Sequence, residues 1–167
     1  MKYVSWSYRY AEQILNSKLA LRKEIEDAIA AISIPPNGFS RPQLNAEIEK
    51  QLVTRKWGKH PRVAGEREDL EIEAKLDFIK ERVGVEVAFS HSSFIGIDLL
   101  KFQTMSYSVL DQIDVGVYII ATSSLLRRMK DRGQKWEGSL TFEKVRRYLP
   151  NFKSAIQVPI FVLGLEE

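Results

Sequence analysis

The hydrophobic period of this chain changes near residue 70, and that change limits it to few architectures. Upstream the period is helical. In "KLALRKEIEDAIAAISI", Leu21, Ile25, Ala28, Ile29 and Ile32 recur at three- and four-residue spacing. "PPNG" at 35–38 stops that run. "SRPQLNAEIEKQLVTRKW" then begins a second helix, with Ser40 as start signal, Pro42 just inside it and an apolar stripe of Leu44, Ile48 and Leu52. From residue 70, Leu70, Ile72, Ala74, Leu76 and Phe78 alternate with polar residues, which is the period of a strand. "VGVEVAF" follows as a second, more completely apolar strand, expected inside the sheet. "SFIGIDLLKFQTMSYSVLDQ" is long and mostly apolar and reads as a helix. "DVGVYIIAT" is a third strand, "SSLLRRMKD" and "LTFEKVRRYL" are helices around the loop "RGQKWEG", and "QVPIFVLGL" is a last strand. In that last strand Pro159 marks a strand start or an edge. Helices first, then strands interleaved with helices, give an α/β fold: a central mixed sheet flanked by helices. We expect one domain over 1–167, with N-terminal helices at 8–56 and a sheet core at 70–165.

Composition narrows the function classes. At 167 residues the chain is long enough for a core without staples. It has no cysteine, which excludes disulfides, thiolate metal sites and cysteine nucleophiles. No apolar run approaches the ~20 residues of a spanning helix, and "MKYVSWSYRY" lacks the apolar core of a signal peptide. A cytoplasmic protein with no membrane partner is the simplest expectation. The net charge of +3 permits an anionic partner without demanding one. Positive charge concentrates between residues 125 and 153, mixed with Trp136, Tyr148 and Phe152. That mixture suits a polyanion surface, although a solvated helix face with snorkelling Lys and Arg gives the same pattern.

The chemistry centres on "LDFIKERVGVEVAFSH". Two strands flank the charged bend "KER", and each carries one acid among apolar residues, Asp77 and Glu86. A hairpin brings side chains of neighbouring strands within about 5 Å when register and face agree. Two partly buried carboxylates that close repel each other and raise at least one pKa. A hard dication such as Mg²⁺ relieves the repulsion, and because it keeps several waters it needs only one or two carboxylates. Acids in strands also occur simply on a solvent face or paired with Lys or Arg. Against that, Glu86 is flanked on its own face by Gly84 and Ala88, two small residues that leave room for a ligand.

With these residues in view, the chain resembles type II restriction endonucleases with the PD-(D/E)xK core, in the BglII/BstYI group. The likeness is carried by "LDFIKERVGVEVAF", "YAEQILN", the helix ending in "RKW", "FIGIDLLKFQTMSYSVLDQIDVGV" and "VPIFVLGL", in that order. The resemblance implies a restriction-endonuclease-like core and a homodimer that cleaves double-stranded DNA with Mg²⁺ at a short, GATC-centred palindrome. It implies Asp77 and Glu86 as catalytic metal ligands, with the backbone carbonyl of Val87 as a further ligand. It places DNA contacts at Ser90 and His91, just past the catalytic strand, and in the loop of Asp131, Arg132, Gly133 and Gln134. There an Arg can bind guanine and a Gln adenine in two-pronged fashion. A lone His after a strand is also a common surface residue. The helix 94–110 would make dimer contacts, with Phe102, Met105 and Tyr107 as candidates for an exposed apolar strip. A two-fold dimer matches a two-fold site, and we expect DNA encirclement to come from the two protomers.

One position departs from the pattern. Most PD-(D/E)xK nucleases carry Lys where this chain has Ala88, and the nearest relatives carry Gln or another polar group. A methyl group can neither orient a water nor stabilise a developing hydroxide, and losing such a group costs on the order of 10²–10⁴ in rate. Three explanations stand: a silenced chain, a weakly active or binding-only natural relative, or a neighbouring residue such as Lys80 or Glu73 in the missing role. Restoring Gln or Lys at position 88 is expected to raise cleavage. The competing classes are thus a Mg²⁺-dependent endonuclease, a DNA-binding protein without turnover, and an α/β protein whose acids are structural.

Overall fold

The computed structural model describes residues 1–59, 75–107 and 111–167. Among these residues, six strands form one mixed sheet: β1 (Lys2–Tyr8), β2 (Gly58–Lys59), β3 (Phe78–Lys80), β4 (Val83–Val87), β5 (Val115–Ala121) and β6 (Ile160–Glu166). Their order across the sheet is β1-β6-β5-β4-β3-β2. β4, β5 and β6 run parallel at the centre, while β1, β3 and β2 join antiparallel at the two sides.

The helices are α1 (Ala11–Ser17), α2 (Leu19–Ala30), α3 (Arg41–Thr54), α4 (Ile95–Tyr107), α5 (Ser123–Asp131) and α6 (Phe142–Tyr148). Alternation along β5 builds two cores. Val115, Val117 and Ile119 pack with residues of α1, α2, α3 and α5 on one face. Tyr118 and Ile120 pack with Leu99, Phe102 and Met105 of α4 and Val145 of α6 on the other. α4 lies close to the sheet because Gly116 has no side chain: a Cβ there would stand 2.4 Å from Phe102 Cδ1.

The second helix begins as its sequence indicates. Ser40 is the N-cap, Gln43 returns its side-chain oxygen to the Ser40 N–H at 2.8 Å, and Leu44, Ile48 and Leu52 are buried. The N-terminus corrects the expectation of helices alone, because β1 precedes them and pairs with β6 along seven residues. Pro159 stands immediately before β6, a strand start in the sheet interior rather than an edge. Of the alternating run that begins at residue 70, residues 70–74, with Glu73 among them, lie outside the described residues.

The bend between β3 and β4 is a tight two-residue turn. Lys80 pairs with Val83, which leaves Glu81 and Arg82 as the loop, both with positive φ (44° and 65°). Neither is glycine, so this backbone is held by its surroundings. Lys18 Nζ donates to the Glu81 carbonyl at 2.9 Å, and Arg82 is paired with Asp111 and Asp114, both at 2.8 Å.

Candidate active site on the β3–β4 hairpin

The tight turn carries the two acids toward each other. Asp77 lies in the bend just ahead of β3, and Glu86 is the fourth residue of β4. The Asp77 N–H donates to Glu86 Oε2 at 3.2 Å, and the Val87 N–H donates to Asp77 Oδ2 at 2.8 Å. Each carboxylate is therefore oriented by the other residue's strand. Proximity has an electrostatic cost: Glu86 is 4% exposed, and burial together with the negative charge of Asp77 pushes its pKa up to about 8.

Two clefts meet this pair. One, about 140 Å³, is lined by Asp77, Phe78 and Val87 of the hairpin and by Asn45 and Glu49 of α3. The other, about 220 Å³, lies on the α4 side and is lined by Glu86, Ala88, Ser90, Asp98 and Lys101 with their neighbours. In the second cleft Lys101 Nζ stands 2.5 Å from Glu86 Oε1 and 3.7 Å from Asp98 Oδ1. Asp98 in turn accepts a 2.7 Å hydrogen bond from the Tyr118 hydroxyl. Burial holds the Asp98 carboxyl above its ordinary range, and the flanking acids hold the Lys101 ammonium above its own.

Reading the residues alone missed Asn45 and Glu49 of one cleft and Asp98 and Lys101 of the other. Asn45 and Glu49 look like the solvated side of an amphipathic helix, although their four-residue spacing does place them on one face. Lys101 looks like an interruption in an apolar helix. The signal for it was Asp98, three residues earlier on the same helix face.

The expectation of room on both sides of Glu86 holds at one side only. A Cβ on Gly84 would sit 2.5 Å from Leu76 Cδ1, so that space is filled by core. Ala88 is 4% exposed and borders the open α4-side cleft. Lys80 does not reach the acids' cleft. It donates to both oxygens of Glu24 (2.9 and 2.7 Å) and to the Arg55 carbonyl (2.8 Å).

The residues expected to touch DNA fall in two places. Ser90 and His91 are exposed directly beyond β4. His91 Nδ1 accepts from the Ser93 N–H at 3.3 Å and caps a short turn at Ser92–Phe94, and its ring packs over Gly138. The Asp131–Gln134 loop makes its contacts elsewhere. Arg132 is paired with Glu167, and Gln134 Nε2 donates to the Asn37 carbonyl at 2.9 Å. Trp136 is buried and donates its indole N–H to the Phe39 carbonyl, so it belongs to the core rather than to a polyanion surface. Tyr148 and Phe152 remain exposed.

The expected apolar strip on α4 is also corrected. Phe102 and Met105 are fully buried against the sheet, whereas Tyr107 is exposed. Among the described residues, the exposed apolar ones at this place are Phe94, Ile97, Leu100 and Tyr107.

Among the described residues, no group of three or more His, Cys, Asp or Glu side chains is arranged to hold a metal ion. The Asp77–Glu86 pair is an all-oxygen set of two carboxylates, which suits a hard dication that keeps part of its water shell. No helix among the described residues is long and apolar enough to cross a membrane.

Comparisons with known proteins agree with this architecture. No curated protein matches the chain in sequence. A solved structure of the restriction endonuclease BglII in complex with a DNA 16-mer superposes with a TM-score of 0.78 at 22% identity, over 100% of this chain and 77% of that one. The model of the family described as restriction endonuclease BglII/BglIII matches residues 3–165. The chain therefore belongs to the BglII/BglIII restriction endonuclease family, whose members are type II site-specific deoxyribonucleases.

Proposed function

We propose that this protein hydrolyses phosphodiester bonds in double-stranded DNA at a short palindrome centred on GATC, with Mg²⁺ held by Asp77, Glu86 and the backbone carbonyl of Val87. The observation that carries this reading is the reciprocal pair of hydrogen bonds that turns the two carboxylates toward one another at the junction of two clefts. A bound Mg²⁺ supplies charge neutralisation at the scissile phosphate and acidifies water. The chain's own residues do the rest. Asp77 and Glu86 present anionic oxygens, and the Glu81–Arg82 turn fixes their strands. Asn45 and Glu49 border the Asp77 side. Ser90 and His91 stand where a strand end would meet a DNA groove, and His91 keeps Nε2 for a base edge while Nδ1 caps its own turn. Asp131, Arg132 and Gln134 form the second DNA-contacting segment, which requires Arg132 to exchange Glu167 for a guanine. A homodimer, formed through the strip of Phe94, Ile97, Leu100 and Tyr107, would set two such hairpins on the two strands of a palindrome. A cytoplasmic location fits such a substrate.

The test is incubation of the protein with a mixed duplex library and Mg²⁺, followed by sequencing of the cut ends. Recurrent ends at a single GATC-centred site, abolished by a chelator and by Asp77→Ala, are the expected result. Salt-dependent binding to a GATC duplex with no cut ends would favour a binding-only protein.

A further inference from the structure

We propose that Lys101 of α4 is a catalytic residue, supplying to the α4-side cleft the polar group that β4 lacks at Ala88. This rests on the nuclease reading above and concerns the same site. A side chain longer than alanine at position 88 would leave β4 on the same face as Glu86, two residues away, and would enter the cleft that Ala88 borders. Lys101 enters that cleft from the opposite wall. Its ammonium touches Glu86 at 2.5 Å, lies 3.7 Å from Asp98, and its side chain is 19% exposed. Asp98 is itself fixed by the Tyr118 hydroxyl, so Lys101 is held by two oriented acids. The hairpin's own lysine is committed elsewhere, because Lys80 spends its three donors on Glu24 and Arg55. The role needs no proton exchange by Lys101. In hydrolysis a water oxygen bonds to phosphorus and one P–O ester bond breaks. The water's proton leaves to solvent, and the departing oxygen takes a proton from solvent. The lysine N–H groups donate to the attacking oxygen and to a non-bridging phosphate oxygen, where negative charge grows.

The test compares the parent chain, Lys101→Met, Ala88→Lys and the Ala88→Lys/Lys101→Met double variant. Single-turnover cleavage is measured with Mg²⁺, and duplex binding and melting are measured with Ca²⁺ in its place. We expect Lys101→Met to cut on the order of 10²-fold more slowly while binding duplex as the parent does, and to melt at a lower temperature because Glu86 and Asp98 lose their buried partner. The double variant should recover most of the loss. Cleavage by Lys101→Met at the parental rate overturns the proposal. So does a loss of cleavage that tracks lost binding and that Ala88→Lys does not repair. A parent that binds but does not cut, and gains cleavage with Ala88→Lys, also overturns it while leaving the nuclease reading intact. If Ala88→Lys brings no cleavage to an inactive parent, both readings fall.

Discussion

The hairpin is flanked by two lysine–glutamate pairs that look alike on paper and differ in their surroundings. On the α2–α3 side, Lys80 and Glu24 are closed. Every lysine donor is used, and Glu24 Oε2 also accepts from the Trp57 indole at 2.9 Å. On the α4 side, Lys101 and Glu86 share a cleft, Glu86 is crowded by Asp77, and among the described residues the ammonium hydrogen-bonds to Glu86 and stands 3.7 Å from Asp98. The first arrangement anchors α2 and the end of α3 to β3. The second keeps charge concentrated beside open space. A salt bridge in itself says little about role, and what matters is whether each member retains capacity for a further partner.

Three measurements sharpen that contrast. The largest effect is expected at Glu86. Glu86→Gln removes one of the two anionic oxygen donors, which amounts to several kcal/mol at the transition state and about a 10³-fold loss of cleavage. Its thermal midpoint should not fall, because the charge it removes is one that burial disfavours. A glutamine variant that cuts like the parent would erase the distinction between the two pairs. Next comes Lys80→Met, which leaves Glu24 with one partner fewer. A loss of about 2 kcal/mol, and therefore of about 4–8 °C in Tm for a chain of this size, should appear with cleavage nearly intact. If cleavage collapsed while melting held, Lys80 would be the site's amine after all.

The smallest effect is a pH dependence of metal-free stability. The folded Glu86 holds its proton up to about 8 against 4.5 for an ordinary glutamate, so the native state binds more protons in between. The contribution of Glu86 to stability is then greatest below 4.5 and is lost as pH rises through about 8. Asp98, also raised by burial, acts in the same direction. Melting of the parent should drop relative to Glu86→Gln between these limits, and Ca²⁺ or Mg²⁺ should reverse the drop at the alkaline end. Parallel curves for the two proteins would show that Glu86 carries no such penalty.

The interior of the sheet was legible because strands buried on both faces are continuous apolar runs, and β4, β5 and β6 all read that way. β1 was not. In "KYVSWSY" only Tyr8 is buried, because the strand sits at the sheet edge and neither face alternates cleanly. The site divided along the same line. Asp77 and Glu86 stood out as acids in apolar strands joined by a short bend, a local pattern that a hairpin converts directly into proximity. The three-residue spacing of Asp98 and Lys101 marks a shared helix face, but only the way α4 crosses the sheet turns that face toward Glu86. The α4 strip failed for a related reason. Phe102 and Met105 are no more apolar than Ile97 and Leu100, and only the helix's rotation decides which pair meets the sheet.

That rotation returns to a glycine. Phe102 rests edge-on where Gly116 offers bare backbone, one residue along from the lysine in the cleft. A methyl group added to β5 would push the aromatic ring outward, turn or lift the helix, and withdraw the neighbouring amine from the carboxylate it meets. The reach of a charged group on one element is thereby calibrated by an absent carbon on another. Changes at position 116 would retune the cleft without altering any residue that lines it.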